Sequence, residues 1–329
     1  MQQVPYKEKN WKEKWTFIDS ITFLFNESKK RSKEIRRIRM IFDAIISYKR
    51  YGATFHDYMN LRFYTRTEQE KDTFITTNMV QREKRNWDSV KLDIVDNKKS
   101  FNELFKDYAG REWIDTDDKT YKDFCTFLNK FEFVFVKPKR ESSGIGIKKC
   151  RVQDISDKEK FYTSCKGCLI EEPISIHEEM KKLNPNSVSF VRVVTVANEN
   201  NINILATTLR TGGKKEVPFN TAKDDIFSQI NIETGVCFTN GFDESGEEYE
   251  KHPVSGIPFK GFQIPYWDKV IESSKDGARR ISEVRIIGWD IAITEQGIAF
   301  FEGNPGSGVA SMQIADGIGK KELFYKYLG

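Results

Sequence analysis

The sequence has little of what most catalytic scaffolds are recognised by. Only three His and five Cys occur in 329 residues. The His residues lie far apart, which excludes a zinc cluster built on them. The odd number and scattered spacing of the Cys argue against a disulfide framework. Cys165-Lys166-Gly167-Cys168 is a lone CxxC. Zinc would need a second pair, and a redox motif should open a helix, whereas this one runs into the strand-like CLIEEPI. No Ser/His/Asp or Cys/His pattern offers a side-chain nucleophile. No apolar run approaches 18 residues, so no membrane-spanning helix is expected. The opening stretch, MQQVPYKEKNWKEKW, has no apolar core for a secretory signal, and the cytoplasm is the expected compartment. Nor does one sign of charge dominate. The 53 basic and 49 acidic residues leave +4, too even to announce a nucleic-acid binder.

What is present is enough apolar volume for a sizeable core, including 25 Phe, in a chain 31% charged. The length suggests two or three domains. Residues 1 to about 85 read as mostly helical. NESKKRSKEIRRIRMIFDAIISYKRYG offers Asn26 as a cap and Gly52 as a stop. Its stretch 29–39 is densely basic, either a solvated helix face or a surface for anionic lipid head groups or an acidic partner. A strand is expected over 89–95 and an amphipathic helix over 96–110. Thereafter strands dominate: 131–150 as strand, glycine-containing loop and strand, then GCLIEEPI, then a hairpin over 187–213 turning at 198–201. Pro265 precedes a helix expected over 266–281. The second half is therefore α+β with antiparallel pairs.

VRIIGWDIAITEQGIAFFEGNPG, residues 284–306, carries two acids in an otherwise apolar hairpin. Strands over 286–293 and 298–302 joined by a three-residue loop, Glu295-Gln296-Gly297, pair Thr294 with Ile298 and Ala292 with Phe300. The same register opposes Asp290 to Glu302 and Gly288 to Asn304. Opposed like charges are destabilising unless something positive sits between them. An oxygen-only trio of Asp290, Glu302 and Asn304 suits a hard cation such as Mg²⁺, with substrate phosphates completing its shell. The alternative is a solvated acid pair at a sheet end. Ile287, Trp289, Ile291, Ile293 and Phe301 form the face expected to bury.

Three further stretches could carry chemistry. Lys137 with Ser142-Ser143-Gly144-Ile145-Gly146 could cradle phosphate through backbone N–H groups and one cation, or could be a plain turn. It is not a Walker A loop, because no GK[ST] closes it. LIEEPI could present backbone to an adenine edge. Arg192 and Arg210, one on each strand of a hairpin, could bind phosphate or carboxylate as forks.

In this order the pieces resemble the ATP-grasp superfamily, and most closely its sugar-transfer-associated, alpha-L-glutamate ligase-like branch. The resemblance covers about residue 96 to the end. It rests on FVKPKRESSGIGI, IEEPISIHEEMKKLNPNSVSFVRVVTV, HPVSGIPFKGFQIPYWDKV, the acid hairpin and the Gln of SMQIADGIG. It implies an α+β ATP-grasp fold, two lobes gripping ATP, behind a mostly helical N-terminal region. The implied division is 1–95 helical, 96–170 small lobe with the glycine-rich lid, and 171–329 large lobe with the metal site.

The resemblance also implies roles. Lys137 would hold ATP phosphates, and Ser143, Gly144 and Gly146 would form the lid. Glu171 and Glu172 would sit at the adenine pocket, with His177 or Glu178 near the ribose. Lys98, with Lys99 as the alternative, would be a second nucleotide lysine. Asp290, Glu302 and Asn304 would ligate Mg²⁺. Arg192, Arg210 and Arg285 would face phosphate or the acyl substrate. The implied activity is an ADP-forming ligation of a carboxylate, small or part of a glycan, to an amine through an acylphosphate. Surface-polysaccharide synthesis is the implied setting, and no nucleic acid is involved. The family's VDN…GG stretch is replaced by VPFNTAKDDIFSQINIETG, which keeps Asn220 alone and puts the acceptor side in question. The rivals are a kinase using the same ATP site, a non-catalytic nucleotide-binding module and, more distantly, a carbohydrate-binding protein.

Overall fold

The computed structural model describes residue 22 and residues 37–140, 146–213, 225–306 and 311–329. Asn26, most of the basic stretch, Ser143, Gly144 and Asn220 lie outside the described residues.

The helical expectation for the first region is met by four helices: α1 (Arg37–Tyr51), α2 (Phe55–Asn60), α3 (Glu68–Asp72) and α4 (Thr77–Lys84). Thr54 and Thr67 each close a capping box with the acid three residues on, Asp57 and Glu70, satisfying backbone donors that a helix start leaves bare. Met40, Ala44, Tyr58, Phe63 and Phe74 bury together between these helices. Lys71, 3% exposed, enters this core and is neutralised by Asp43 at 2.6 Å and Glu68 at 3.1 Å.

Residues 89–95 are a helix, not the expected strand. The alternation Val90, Leu92, Ile94 suggested period 2, but Asp88 accepts from the backbone N–H of Val90 and Lys91 and starts α5 (Ser89–Asp96). Asn97 then caps α6 (Lys98–Leu104) in the same way. Val95, Phe101 and Phe105 from these helices bury in the largest core.

A four-stranded antiparallel sheet follows, in order β1-β4-β2-β3. Its strands are β1 (Trp113–Asp115), β2 (Phe133–Pro138), β3 (Lys148–Arg151) and β4 (Cys168–Glu171), with α7 (Tyr121–Leu128) and α8 (Lys158–Ser164) between them. Ile114, Phe124, Leu128, Val134 and Ile170 form its own core. After α9 (Glu178–Leu183) the chain builds a seven-stranded antiparallel sheet, β11-β10-β5-β6-β7-β8-β9. Its members are β5 (Phe190–Ala197), β6 (Ile202–Gly212), β7 (Asp225–Gln229), β8 (Gly241–Phe242), β9 (Glu248–Tyr249), β10 (Ile286–Thr294) and β11 (Gly297–Pro305). Helix α10 (Trp267–Arg280) begins after Pro265 as expected and packs on this sheet. Two short helices, α11 (Ser311–Ile314) and α12 (Lys321–Leu328), end the chain.

Gln313 ties the ends of the molecule together. Fully buried, its amide donates to the carbonyl of Ile75 and accepts from the N–H of Ile75 and Lys320, at 3.0, 2.9 and 3.1 Å. Among the described residues no helix is long and apolar enough to cross a membrane.

Candidate functional site

The acid hairpin reaches the expected acid pairing by a different route. Gly297 joins the ladder opposite Thr294 at φ +140°, so the loop holds two residues, Glu295 and Gln296. That register pairs Ile293 with Ile298 and Ile291 with Phe300, correcting both Thr294–Ile298 and Ala292–Phe300. Phe301 is then the extra residue of a β-bulge, beyond which Asp290 opposes Glu302 and Gly288 opposes Asn304. The bulge exchanges the roles of two neighbours. Phe300, 1% exposed, is the core aromatic, with its ring centroid 5.2 Å from Trp289 and 4.7 Å from Tyr108. Phe301 instead lies 6.2 Å from Phe190 and under Lys137, whose Nζ is 5.8 Å from the ring centroid. Phe300→Ala should therefore cost about 3–5 kcal/mol in urea unfolding, and Phe301→Ala about 1 kcal/mol. Equal losses would contradict this register.

A positive charge reaches the acids from β5, on the side of Asp290 away from Glu302. Arg192 stands opposite Asp290 and grips it as a fork, Nε to Oδ1 and Nη2 to Oδ2, both at 2.5 Å. Burial opposes the charge on Arg192, but Asp290 outweighs it and the guanidinium is held above its ordinary pKa. Glu302 has no such fork. Burial first, and the nearby Asp290 second, push its carboxyl above the usual range. The Asn304 amide bridges the two acids, 3.2 Å from Asp290 and 3.4 Å from Glu302. The two carboxylates fit a hard divalent cation, and Asn304 would add an amide oxygen once its amide, which turns N–H to both acids, is reversed. Glu302 is the member whose charge most lacks compensation. Among the described residues no three His, Cys, Asp or Glu side chains converge on a metal-sized point, so such an ion would take further ligands from a substrate. Arg210 shares this face. It bonds Asp225 at 2.5 Å between the rings of Phe190 and Phe227. Burial, then the charge of Arg192, weigh against its own charge, and its buried Nε has no acceptor among the described residues.

Facing this cluster is a buried charge network on the small sheet. Glu171, 1% exposed, accepts from Lys137 Nζ and from Arg111 Nε, each at 2.6 Å. Burial disfavours the Glu171 charge, yet the two cations hold its carboxyl far below the usual range. Lys137 is lowered, by burial first and by Arg111, against the pull of Glu171. Arg111 was not legible as a site residue. Its guanidinium also donates to the carbonyls of Ala109 and Phe300, at 2.8 and 3.0 Å, and so ties the small sheet to β11 beside the bulge. Gly110 permits that approach. At φ +60° it crosses Ala299 so closely that an added Cβ would meet the alanine methyl at 2.3 Å. An Arg after a Gly is no signal by itself; the buried Glu171 that needs it is visible only in three dimensions.

The remaining candidates divide. The charge of Lys98 acts on both Glu302 and Lys137, whereas Lys99 turns to Asp118 at 2.7 Å. Lys98 is held there because α6 packs on β11 at Gly303, where a Cβ would strike Phe101 and Val95 at 2.9 Å. Gly146, at φ +76°, closes its loop against Pro138. Glu172 continues the β4 edge, its carboxylate accepting from Glu112 N–H at 2.9 Å. His177 caps α9 through Nδ1 and stands edge-on to Tyr266, and Glu178 is exposed on the first turn of that helix. Arg285 is not brought to the cluster. It precedes β10 at the strand end opposite the hairpin turn, five residues before Asp290, and donates to the carbonyls of Ala197 and Leu328. That is the work of a structural tie to α12.

His252 guards another edge of the large sheet. Buried at 1% exposure, it has its Nε2 3.0 Å from the carbonyl of Gly212 and accepts from Val254 N–H at Nδ1. Burial lowers its pKa. The unfolded chain therefore takes up the extra proton, so stability should fall as pH drops below about 6.5. The slope should be at most about 1.4 kcal/mol per pH unit, and His252→Gln should remove it. Urea midpoints between pH 7.5 and 5.5 test this.

Comparison with known proteins gives one family and a set of distant structures. The model described as sugar-transfer associated ATP-grasp matches residues 80–326. Among solved structures, the ATP-grasp ligase PsnB with its minimal precursor is 12% identical, TM-score 0.43, covering 74% of this chain and 64% of its own. The ADP complex of PurK, an N5-carboxyaminoimidazole ribonucleotide synthetase, is 12% identical, TM-score 0.42, with coverages of 71% and 52%. The D-alanine–D-alanine ligase of Bacillus anthracis is 11% identical, TM-score 0.44, with coverages of 78% and 75%. The chain thus spans less than two thirds of the length of the first two. Among curated proteins none matches.

Proposed function

The chain belongs to the sugar-transfer-associated ATP-grasp family and has its α+β fold, and on that premise we propose that it is an ATP-dependent ligase joining a carboxylate to an amine. The observation that carries the reading is the facing of two oppositely built clusters. Lys137 and Lys98 supply cations for phosphate, and Asp290, Glu302 and Asn304 supply oxygen ligands beneath them. A divalent cation, proposed to be Mg²⁺, would be held by those three residues and would screen the charge of the ATP phosphates when bound. The family's description points to an association with sugar transfer, and amidation of a sugar carboxylate during surface-polysaccharide synthesis is the narrower proposal.

The chain's own residues would act by placement and charge, as phosphoryl transfer requires. Lys137, anchored by Glu171, neutralises charge as a substrate carboxylate oxygen bonds to the γ-phosphorus and the bond to the β-phosphate oxygen breaks, releasing ADP. The amine then adds to the acyl carbon of the acylphosphate. Arg192 and Arg210 face the oxyanion that forms, phosphate departs, and the amine's proton passes to solvent. Lys98 supports the phosphates from α6, and the loop through Ser143, Gly144 and Gly146 keeps water from the acylphosphate. Glu172 and the backbone near it flank adenine, and His177 or Glu178 the ribose. The division into residues 1–95, 96–170 and 171–329 is part of the same proposal.

The test is hydroxylamine trapping with ATP and a panel of uronic and other carboxylic acids. A hydroxamate with stoichiometric ADP supports the ligase. A phosphate ester without hydroxamate makes the protein a kinase, and nucleotide binding with no ADP from any pair makes it a binding module.

A further inference from the structure

Helix α1 turns one face inward and leaves the other bare. Met40, Ala44 and Tyr51 bury in the N-terminal core, while Ile38, Phe42 and Ile46 stand 71, 64 and 51% exposed. Their spacing of four residues makes them a continuous apolar row along the outside of the helix. The charges around the row are of one sign. Arg39, Lys49 and Arg50 are exposed, and Arg50 pairs with Glu68 at 2.9 Å. The helix's one acid, Asp43, points inward to Lys71 at 2.6 Å and Tyr58 at 2.8 Å. In sequence, the eight residues before it, 29–36, add five basic residues against one acid.

We infer that the outer face of α1 docks on an anionic lipid surface, with Ile38, Phe42 and Ile46 entering the acyl boundary and Arg39 and Lys49 meeting the head groups. A helix with an apolar stripe, cationic flanks and no exposed acid has the composition of one that lies in a membrane interface. Each basic side chain near an anionic surface adds roughly fivefold to partitioning. The inference is independent of the ligase reading, because the face lies outside the nucleotide cluster.

The experiment is co-sedimentation of the full chain with vesicles of phosphatidylcholine alone and with one quarter phosphatidylglycerol. The expected result is binding to the anionic vesicles, weakened about tenfold or more by Ile38→Ser/Phe42→Ser/Ile46→Ser, and up to about 25-fold by Arg39→Gln/Lys49→Gln. Because these side chains are exposed, the melting temperature should hold, and circular dichroism verifies that each variant is folded. No binding to anionic vesicles overturns the inference. So does binding that survives the triple serine variant, which would assign it to the basic stretch alone. A concentration-dependent dimer abolished by the triple variant, with no vesicle binding, would give the face to a second copy.

Discussion

Exchanging Glu302 for Gln should abolish ATP-dependent turnover while leaving the protein as stable as before, or more so. The two effects have one cause. In the metal-free protein Glu302 is a half-buried carboxylate whose charge is disfavoured by burial and by Asp290, with Asn304 its recorded hydrogen-bond donor. Removing the charge relieves that repulsion and should raise stability by up to about 1 kcal/mol. A bound cation, by contrast, needs the charge. Loss of one ligand should cost several kcal/mol of transition-state stabilisation, on the order of a thousandfold in rate. Asp290→Asn should lose turnover equally but stability as well, by about 3 kcal/mol, because it leaves the Arg192 fork buried without its partner. Urea unfolding without metal, set beside ADP release with metal, separates the two variants. If Glu302→Gln destabilises as Asp290→Asn does, the acid is structural and the metal reading falls.

The second large effect lies across the cleft. Glu171→Gln should destabilise the fold by about 3–5 kcal/mol. The neutral amide would leave Arg111 and Lys137 as neighbouring buried cations. Adding Arg111→Met should recover part of the loss, and with Arg111→Met alone the three variants complete a double-mutant cycle. In the parent protein the folded carboxyl is held below its unfolded pKa, so this contribution is complete above about pH 4.3. It is lost only as acid carries the pH down through the folded value. A loss under about 1 kcal/mol in the single variant would mean that the network is open to water and does not set the position of Lys137.

How much of this could be read from the chain depended on the range of the interactions involved. The antiparallel hairpins and α10 behind Pro265 followed from local periodicity, while the acid pair came out as expected only because the bulge at Phe301 offsets a loop one residue shorter than the turn chemistry suggests. The helix over 89–96 did not, because one capping aspartate, Asp88, outweighed an alternation that suggested a strand. Sequence favours Lys98 over Lys99 only narrowly, and the packing of α6 on Gly303 separates their environments. Arg285 looked equivalent to Arg192 because both are basic residues in strand-rich stretches. Strand register puts Arg192 opposite Asp290 and leaves Arg285 among the carbonyls of a terminal helix. Arg111 was invisible because its significance comes from Glu171 and Phe300, distant in sequence.

The bulge at Phe301 makes the acid pair tolerant of slippage in the turn. A three-residue loop without a bulge and a two-residue loop with one lead to the same juxtaposition of Asp290 with Glu302. Between those two solutions only the turn-side half of the hairpin changes phase, with Phe300 and Phe301 trading places between core and cleft. A length change at Glu295–Gly297 therefore has a local outlet in the ladder. The hairpin can absorb a one-residue insertion or deletion at its tip without carrying the error four residues inward, to where the carboxylates meet.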